Sequence, residues 1–177
     1  MNEPRSFELQ PVLTGPRLLL RPLQPEDFDM LYFAAADPQI WAVHPESNRH
    51  ERPVFQKFFE EALNSKGALA VLDRATGRII GSSRFYELDV QRSEVVIGYT
   101  FLTRPYWGGS YNGEMKTLML DHAFRFVDAV LFHVGEHNIR SRKAMEKIGG
   151  VLTGSLEKTG ADGRPRRNVV YVIKKKP

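Results

Sequence analysis

The chain has 177 residues, 42% of them hydrophobic and 26% charged, with no cysteine and a formal net charge of +4. That length suits one domain with a full hydrophobic core. The lack of cysteine excludes disulfide scaffolds and thiolate metal sites and fits a reducing cytoplasm. The mild positive charge attracts anions such as phosphates, acidic peptides or RNA. Met1–Gln10 carries charges and no apolar run, so no secretory leader is expected. No stretch approaches the length of a membrane helix.

In chain order, Met1–Gly15 reads as an irregular lead-in, with Phe7 and Leu9 laid on the surface. Arg17–Leu23 reads as a short strand ended by Pro22 and Pro25. Pro25-Glu26-Asp27 opens a helix, with proline and acids in the first turn. Its apolar stripe is Phe28, Leu31, Tyr32 and Ala35, and Asp37-Pro38 stops it. Gln39–Arg52 is rich in turn residues and carries exposed-looking aromatics, Trp41 and His44. Pro53–Ser65 predicts a second helix, with Phe55, Phe58, Phe59 and Ala62 on one side.

Ala68–Asp73 and Arg78–Tyr86 read as strands joined by the hairpin signal Arg74-Ala75-Thr76-Gly77. A loop through Asp89–Arg92 leads to Glu94–Leu102, β-branched and aromatic enough for a buried strand. Met115, Leu118, Met119, His122 and Phe126 predict a helix over Gly113–Val127. Ala129–Val134 reads as a strand and Asn138–Ile148 as a helix capped by Asn138 and ended by Gly149 and Gly150. Gly150–Glu157 and Asn168–Lys174 pair across a turn over Lys158–Arg167. With no repeat and no second domain, the pattern predicts an α/β fold, a mixed sheet flanked by helices.

Arg104–Glu114, R-P-Y-W-G-G-S-Y-N-G-E, joins the central strand to the central helix. Helix N-termini present unpartnered N–H groups and partial positive charge, so this turn is a candidate phosphate site. Gly108, Gly109 and Gly113 permit a tight turn close to a ligand, Asn112 suits an N-cap, and Glu114 suits the dipole. The alternative is a strand–helix connection that simply needs turn residues. It is neither a Walker loop nor a Rossmann glycine pattern.

Y-W-G-G-S-Y-N-G-E resembles the acetyl-CoA loop of the GNAT N-acetyltransferases, in particular the RimJ/RimL-like branch. There a W-G-x-G-Y-A-T-E type segment follows an I-G-Y-x-L strand, supplied here by Ile97–Leu102. Asn138–Gly150 is similar to the family's N-x-x-S-x-x-x-x-E-K-x-G-F segment, and Arg17–Pro22 with Glu26-Asp27 to its opening strand and helix. The three matches keep family order over nearly the whole chain. The resemblance implies a GNAT-type, mostly antiparallel twisted sheet and transfer of acetyl from acetyl-CoA to a primary amine by direct attack. A protein N-terminus, a small amine or an amino acid are all acceptors it allows, as is a CoA-binding relative without turnover.

By the same resemblance, backbone N–H groups of Trp107, Gly108, Gly109, Ser110, Tyr111, Asn112 and Gly113 hold the CoA diphosphate. Thr100, Phe101 and Leu102 run beside pantetheine like an added strand. Trp107, Ser110 and Asn112 depart from the family's usual Gln/Arg, Gly and Gly/Ala. Asn138 and Ser141 match positions that touch pantetheine and sulfur, with Ser141 the candidate proton donor or orienting group for the thiolate. Helix punctuation explains both residues equally well. Lys143, and then Arg142, are candidates for a CoA phosphate.

Relatives often carry a Glu where this chain has Val96; Glu94 lies on the same strand face and is the candidate base, with Glu87 or a water chain as alternatives. Trp41, His44, Tyr86 and Trp107 are candidate acceptor linings. His133, His137 and His122 lack an acidic or cysteine partner at ligand spacing, so no metal is expected. Arg164, Arg166, Arg167 and Lys174–Lys176 suit a solubilising edge, or guidance of an acidic or RNA-associated partner. Nucleic-acid binding ranks last for want of stacking aromatics, and a homodimer is left open.

Overall fold

A computed structural model describes residues 6–177. Alternation along one strand shows how the layers form. In Ala68–Asp73, Ala68 and Ala70 join one buried cluster while Leu69 and Val71 join another. Successive side chains point to opposite faces, so this sheet is covered on both.

The strands are β1 (Leu13–Thr14), β2 (Leu18–Pro22), β3 (Ala68–Asp73), β4 (Ile79–Asp89), β5 (Glu94–Leu102), β6 (Ala129–Gly135), β7 (Val151–Thr159) and β8 (Pro165–Lys174). They form one sheet in the order β1-β2-β3-β4-β5-β6-β8-β7. Only β5 and β6 pair in parallel; the other neighbours are antiparallel. The helices are α1 (Phe28–Ala35), α2 (Pro38–Trp41), α3 (Arg52–Asn64), α4 (Tyr111–Ala123) and α5 (Ile139–Lys147). Helices α1 to α3 cover the Ala68/Ala70 face with Leu31, Trp41, Phe55, Phe58 and Phe59. Helix α4 covers the other face with Met115, Met119 and Ala123.

Two distortions open the middle of the sheet. Strands β5 and β6 pair only from Glu94↔Ala129 to Val96↔Leu131, although both continue. On its other side β5 shifts register, with Ser82 opposite Phe101 but Arg84 opposite Gly98. The extra residue is a β-bulge, which bends and twists its strand. Tyr99 sits in it at φ 52°, a left-handed conformation that is costly for a bulky side chain. Beyond Val96, β5 turns from β6, and the gap between them is the site.

Four expectations are corrected. Phe7 is packed rather than laid on the surface: its ring lies 5.4 Å from that of Phe85 and 5.2 Å from that of Phe126. The first five residues of the lead-in lie outside the described residues. Trp41 is 2% exposed, because an indole whose Nε1 donates to Ala35 O (2.8 Å) can be buried without an orphaned N–H. The central helix begins at Tyr111, two residues early, so Ser110 occupies the N-cap and Asn112 lies inside the first turn. Glu114 does not merely meet the dipole; its carboxylate accepts from Arg17 N (2.8 Å) and Leu18 N (3.0 Å), tying α4 to β2.

Candidate active site

Two cavities open from the β5–β6 gap. One, about 420 Å³, is walled by β5, β6, the α2–α3 connection and the β7–β8 hairpin. The other, about 220 Å³, runs along Thr100–Leu102 toward Trp107, Gly108 and Asn112. Both are lined by His44, Thr100, Lys116, Asn138, Ser141 and Met145. These six residues form the junction, where a group held in one cavity meets a group held in the other.

Local structure explains how each arrives there. Asn138 caps α5, its Oδ1 accepting from Ser141 N (3.2 Å), which puts Ser141 in the first turn at the end of β6. Thr100 follows the bulge, and its hydroxyl lies 2.8 Å from Ser83 Oγ on β4. Lys116 rises from α4, only 3% exposed, with Nζ donating to Thr100 Oγ1 at 3.0 Å and lying 5.2 Å from the centre of the Phe132 ring. Burial without a carboxylate pushes its ammonium down to about 7. Burial, and then Arg49 and Arg140, push His44 down to about 3. His44 Nδ1 accepts from Glu46 N (2.9 Å), so the neutral ring carries its hydrogen on Nε2.

The smaller cavity leads to the start of α4. The first helical bond there is Glu114 N–H to Ser110 O (2.9 Å), so the N–H groups of Tyr111, Asn112 and Gly113 precede it. Ser110 offers no side-chain cap. Gly108 turns at φ 71°, and a Cβ at Gly108 or Gly113 would meet no atom within 4 Å. Beside Gly108 and Gly113 the turn is open, and the N–H groups that precede the first helical bond there fit a diphosphate. Trp107 Nε1 donates to Leu102 O (2.7 Å), and the Arg140 guanidinium lies 3.9 Å over the Trp107 ring. That contact links the turn to α5 across the smaller cavity.

The larger cavity carries charge of both signs, with Arg166 paired to Asp162 at 2.8 Å and Lys158 3.9 Å from Glu87. Arg49, Lys158 and Arg166 line it against Glu46 and Glu61. The Arg49 guanidinium covers the Phe58 ring at 4.5 Å, and burial lowers it to about 10. Behind Tyr99, Arg84 is 6% exposed with its guanidinium 3.9 Å from the ring centre, and its Nε and Nη2 have no hydrogen-bond partner. Tyr86 lines the same cavity; burial first, then Tyr99 and Glu87, hold its phenol protonated. Its oxygen accepts from Lys158 Nζ at 3.3 Å.

Thr100, Phe101, Leu102, Trp107, Gly108, Asn112, Asn138, Ser141, Trp41, His44 and Tyr86 thus line the two cavities. Glu94 does not. It opens β5 opposite Ala129, where the strands still pair, and lies 3.8 Å from Arg92. Glu87 is exposed and 3.9 Å from Lys158. Lys143 is exposed and lines neither cavity. Arg142 is committed to Tyr171 Oη (3.2 Å) and Glu136 O (3.1 Å). Sequence reasoning missed Lys116, Arg140, Arg49 and Arg84. Lys116 left a signal: three and seven residues before Met119 and Ala123, it falls on the buried face of its helix.

Among the described residues no group of three or more His, Cys, Asp or Glu is placed to hold a metal ion. No helix among them is long and apolar enough to cross a membrane. No curated protein matches the chain. Solved structures do. A GCN5-related N-acetyltransferase from Brucella melitensis superposes with a TM-score of 0.84 at 20% identity, covering 97% of this chain and 81% of that one. Mycobacterium smegmatis RimJ in complex with CoA-disulfide gives 0.69 at 17%, covering 89% and 81%. Spermidine N-acetyltransferase from Vibrio cholerae, in complex with CoA and spermine, gives 0.69 at 17%, covering 90% and 96%. At those identities they establish the fold. The family profile of the acetyltransferase (GNAT) domain matches residues 17–151, from β2 through the gap and both of its helices. With that match over most of its length, the chain belongs to the GNAT family and is an N-acetyltransferase with acetyl-CoA as co-substrate.

Proposed function

We propose that this enzyme acetylates a primary amine whose carrier also bears an anionic group: an amino acid, a small acidic amine or an acidic peptide N-terminus. The observation that carries the reading is Arg49, a guanidinium that lines the larger cavity with no carboxylate at ion-pair distance among the described residues, whereas Arg166 and Lys158 there are offset by Asp162 and Glu87. Arg84, buried and unpartnered on two nitrogens, adds a further cation behind Tyr99. A polycation entering that cavity meets like charge, while a carboxylate meets guanidinium groups suited to bind it in pairs.

Acetyl-CoA enters from the other side. The N–H groups of residues 108–113 hold the diphosphate, and pantetheine lies along Thr100–Leu102 in the splayed gap. The acceptor nitrogen attacks the thioester carbonyl directly, with no covalent enzyme intermediate. The Ser141 hydroxyl, at the junction, steadies the departing sulfur. The cysteine-free chain suits the reducing cytoplasm, where we place the activity.

The test is CoA release from acetyl-CoA with L-aspartate, L-glutamate, peptides with acidic or basic N-terminal residues, and spermidine. The reading expects the acidic amines to exceed spermidine by about tenfold in kcat/KM, and Arg49→Gln to erase most of that preference. Preferential turnover of spermidine overturns it.

A further inference from the structure

A proton must cross the junction during acetyl transfer. The acceptor sheds one to water when its ammonium becomes an amine. It sheds a second as the C–N bond forms, and the CoA sulfur takes up one as the C–S bond breaks. A group that serves both ends must line both cavities and be able to bind and release a proton. Of the six junction residues, only His44 and Lys116 have a titratable nitrogen. His44 is removed by its own hydrogen bond: Nδ1 accepts from Glu46 N at 2.9 Å, Nε2 holds the hydrogen, and the neutral ring has no free lone pair.

We infer that Lys116 is the proton shuttle of the transfer: its Nζ takes the proton leaving the attacking nitrogen and delivers it to the CoA sulfur. The electron pair of the nitrogen forms the C–N bond, the C–S pair leaves on sulfur, and Lys116 ends neutral, as it began. This rests on the acetyl-transfer reading of the gap. Thr100 Oγ1 holds Nζ at 3.0 Å and is itself braced by Ser83 Oγ at 2.8 Å, so Thr100 is a positioning residue.

The surroundings fit that task. The charged and titratable groups lining the two cavities with Lys116 are His44, Glu46 and Arg49 from the α2–α3 connection, Glu61 on α3, Tyr86 on β4, Tyr99 on β5, His133 on β6, Arg140 on α5, Lys158 on β7 and Arg166 on β8, beside Tyr106. Neither Glu46 nor Glu61 is within ion-pair distance of Lys116. With no carboxylate to fix its charge, burial alone lowers the ammonium to about 7, which populates both protonation states near neutrality. A salt-bridged lysine could not release its proton there.

Two measurements test the inference. In protein carrying [13Cε]-lysine, one NMR signal should titrate near pH 7, vanish in Lys116→Met, and move when acetyl-CoA is added. All lysine signals titrating above about pH 9 overturns the inference, whether or not an acceptor has been found. With the best acceptor of the amine panel, Lys116→Met should lose about 100-fold in kcat while acetyl-CoA affinity by calorimetry stays within about threefold. Lys116→Arg should not rescue, since a guanidinium keeps its proton. Activity retained in Lys116→Met, or restored in Lys116→Arg, also overturns it. An acceptor panel with no turnover but a lysine signal near 7 refutes the acceptor reading and leaves the titration of Lys116 established.

Discussion

The Lys116 amine and the Thr100 hydroxyl are 3.0 Å apart, one from the helix beneath the sheet and one from the strand that parts from β6 after Val96 and bulges at Tyr99. The contact exists because β5 has turned from β6. In a continuous sheet, a residue of β6 would pair where the lysine now reaches. The bulge therefore creates both the space for a thioester and the position of a buried lysine within it.

That burial has a price in stability whose sign can be worked out. The folded Lys116 loses its proton near 7, against 10.5 for an unconstrained lysine. Between those values the unfolded chain binds more protons, so this group makes stability rise with pH across the window. Below about 7 its full penalty applies. Lys116→Met should thus stabilise the fold, by a few kcal/mol at pH 6 and by much less near pH 10. Thermal unfolding at the two pH values checks this; equal gains at both contradict the lowered acidity.

Gly113 separates the demands of folding from those of binding. It lies in the first turn of α4, and a Cβ there meets nothing within 4 Å. Gly113→Ala should leave the fold intact or stabilise it by up to about 1 kcal/mol. If a diphosphate approaches that backbone, the same methyl group should weaken CoA binding by about tenfold. Calorimetry and melting on one sample read both effects, and unchanged affinity excludes close approach at this residue.

Ser141 and Glu94 make a contrasting pair. Ser141 lines the junction, whereas Glu94 lies where β5 and β6 are still paired. Ser141→Ala should lower kcat by about tenfold with little change in acetyl-CoA affinity. Glu94→Gln should leave kcat within about twofold. A large loss in Glu94→Gln would return the base to β5.

Arg140 and Trp107 give a further test. Their stack at 3.9 Å joins α5 to the turn before α4. Arg140→Ala should cost about 1 kcal/mol or less in stability. Its larger effect should be on the off-rate of CoA, measured by stopped-flow displacement, because the stack spans the smaller cavity.

Much of this protein was legible in its sequence, because local patterns decide local structure. β3 and β5 have the bounds that their apolar runs predict, and the phenylalanines of α3 fall on one buried face. The glycine turn after Trp107, though it ends at Ser110 rather than Gly113, and the Asn138 cap also follow from residue type and spacing, since glycine conformation and helix capping are short-range. What the chain order could not give was the bulge at Tyr99, the divergence of β5 from β6, and the company kept by each side chain. Glu94 and Lys116 show the difference. Strand alternation put Glu94 on the expected face but could not tell which end of the strand opens, while Lys116, part of no motif, acquires its meaning only when Thr100, Phe132 and Ser141 close around it from three other elements. Burial is a property of packing between distant segments, and a lysine's acidity follows from burial; only the tertiary structure could decide either.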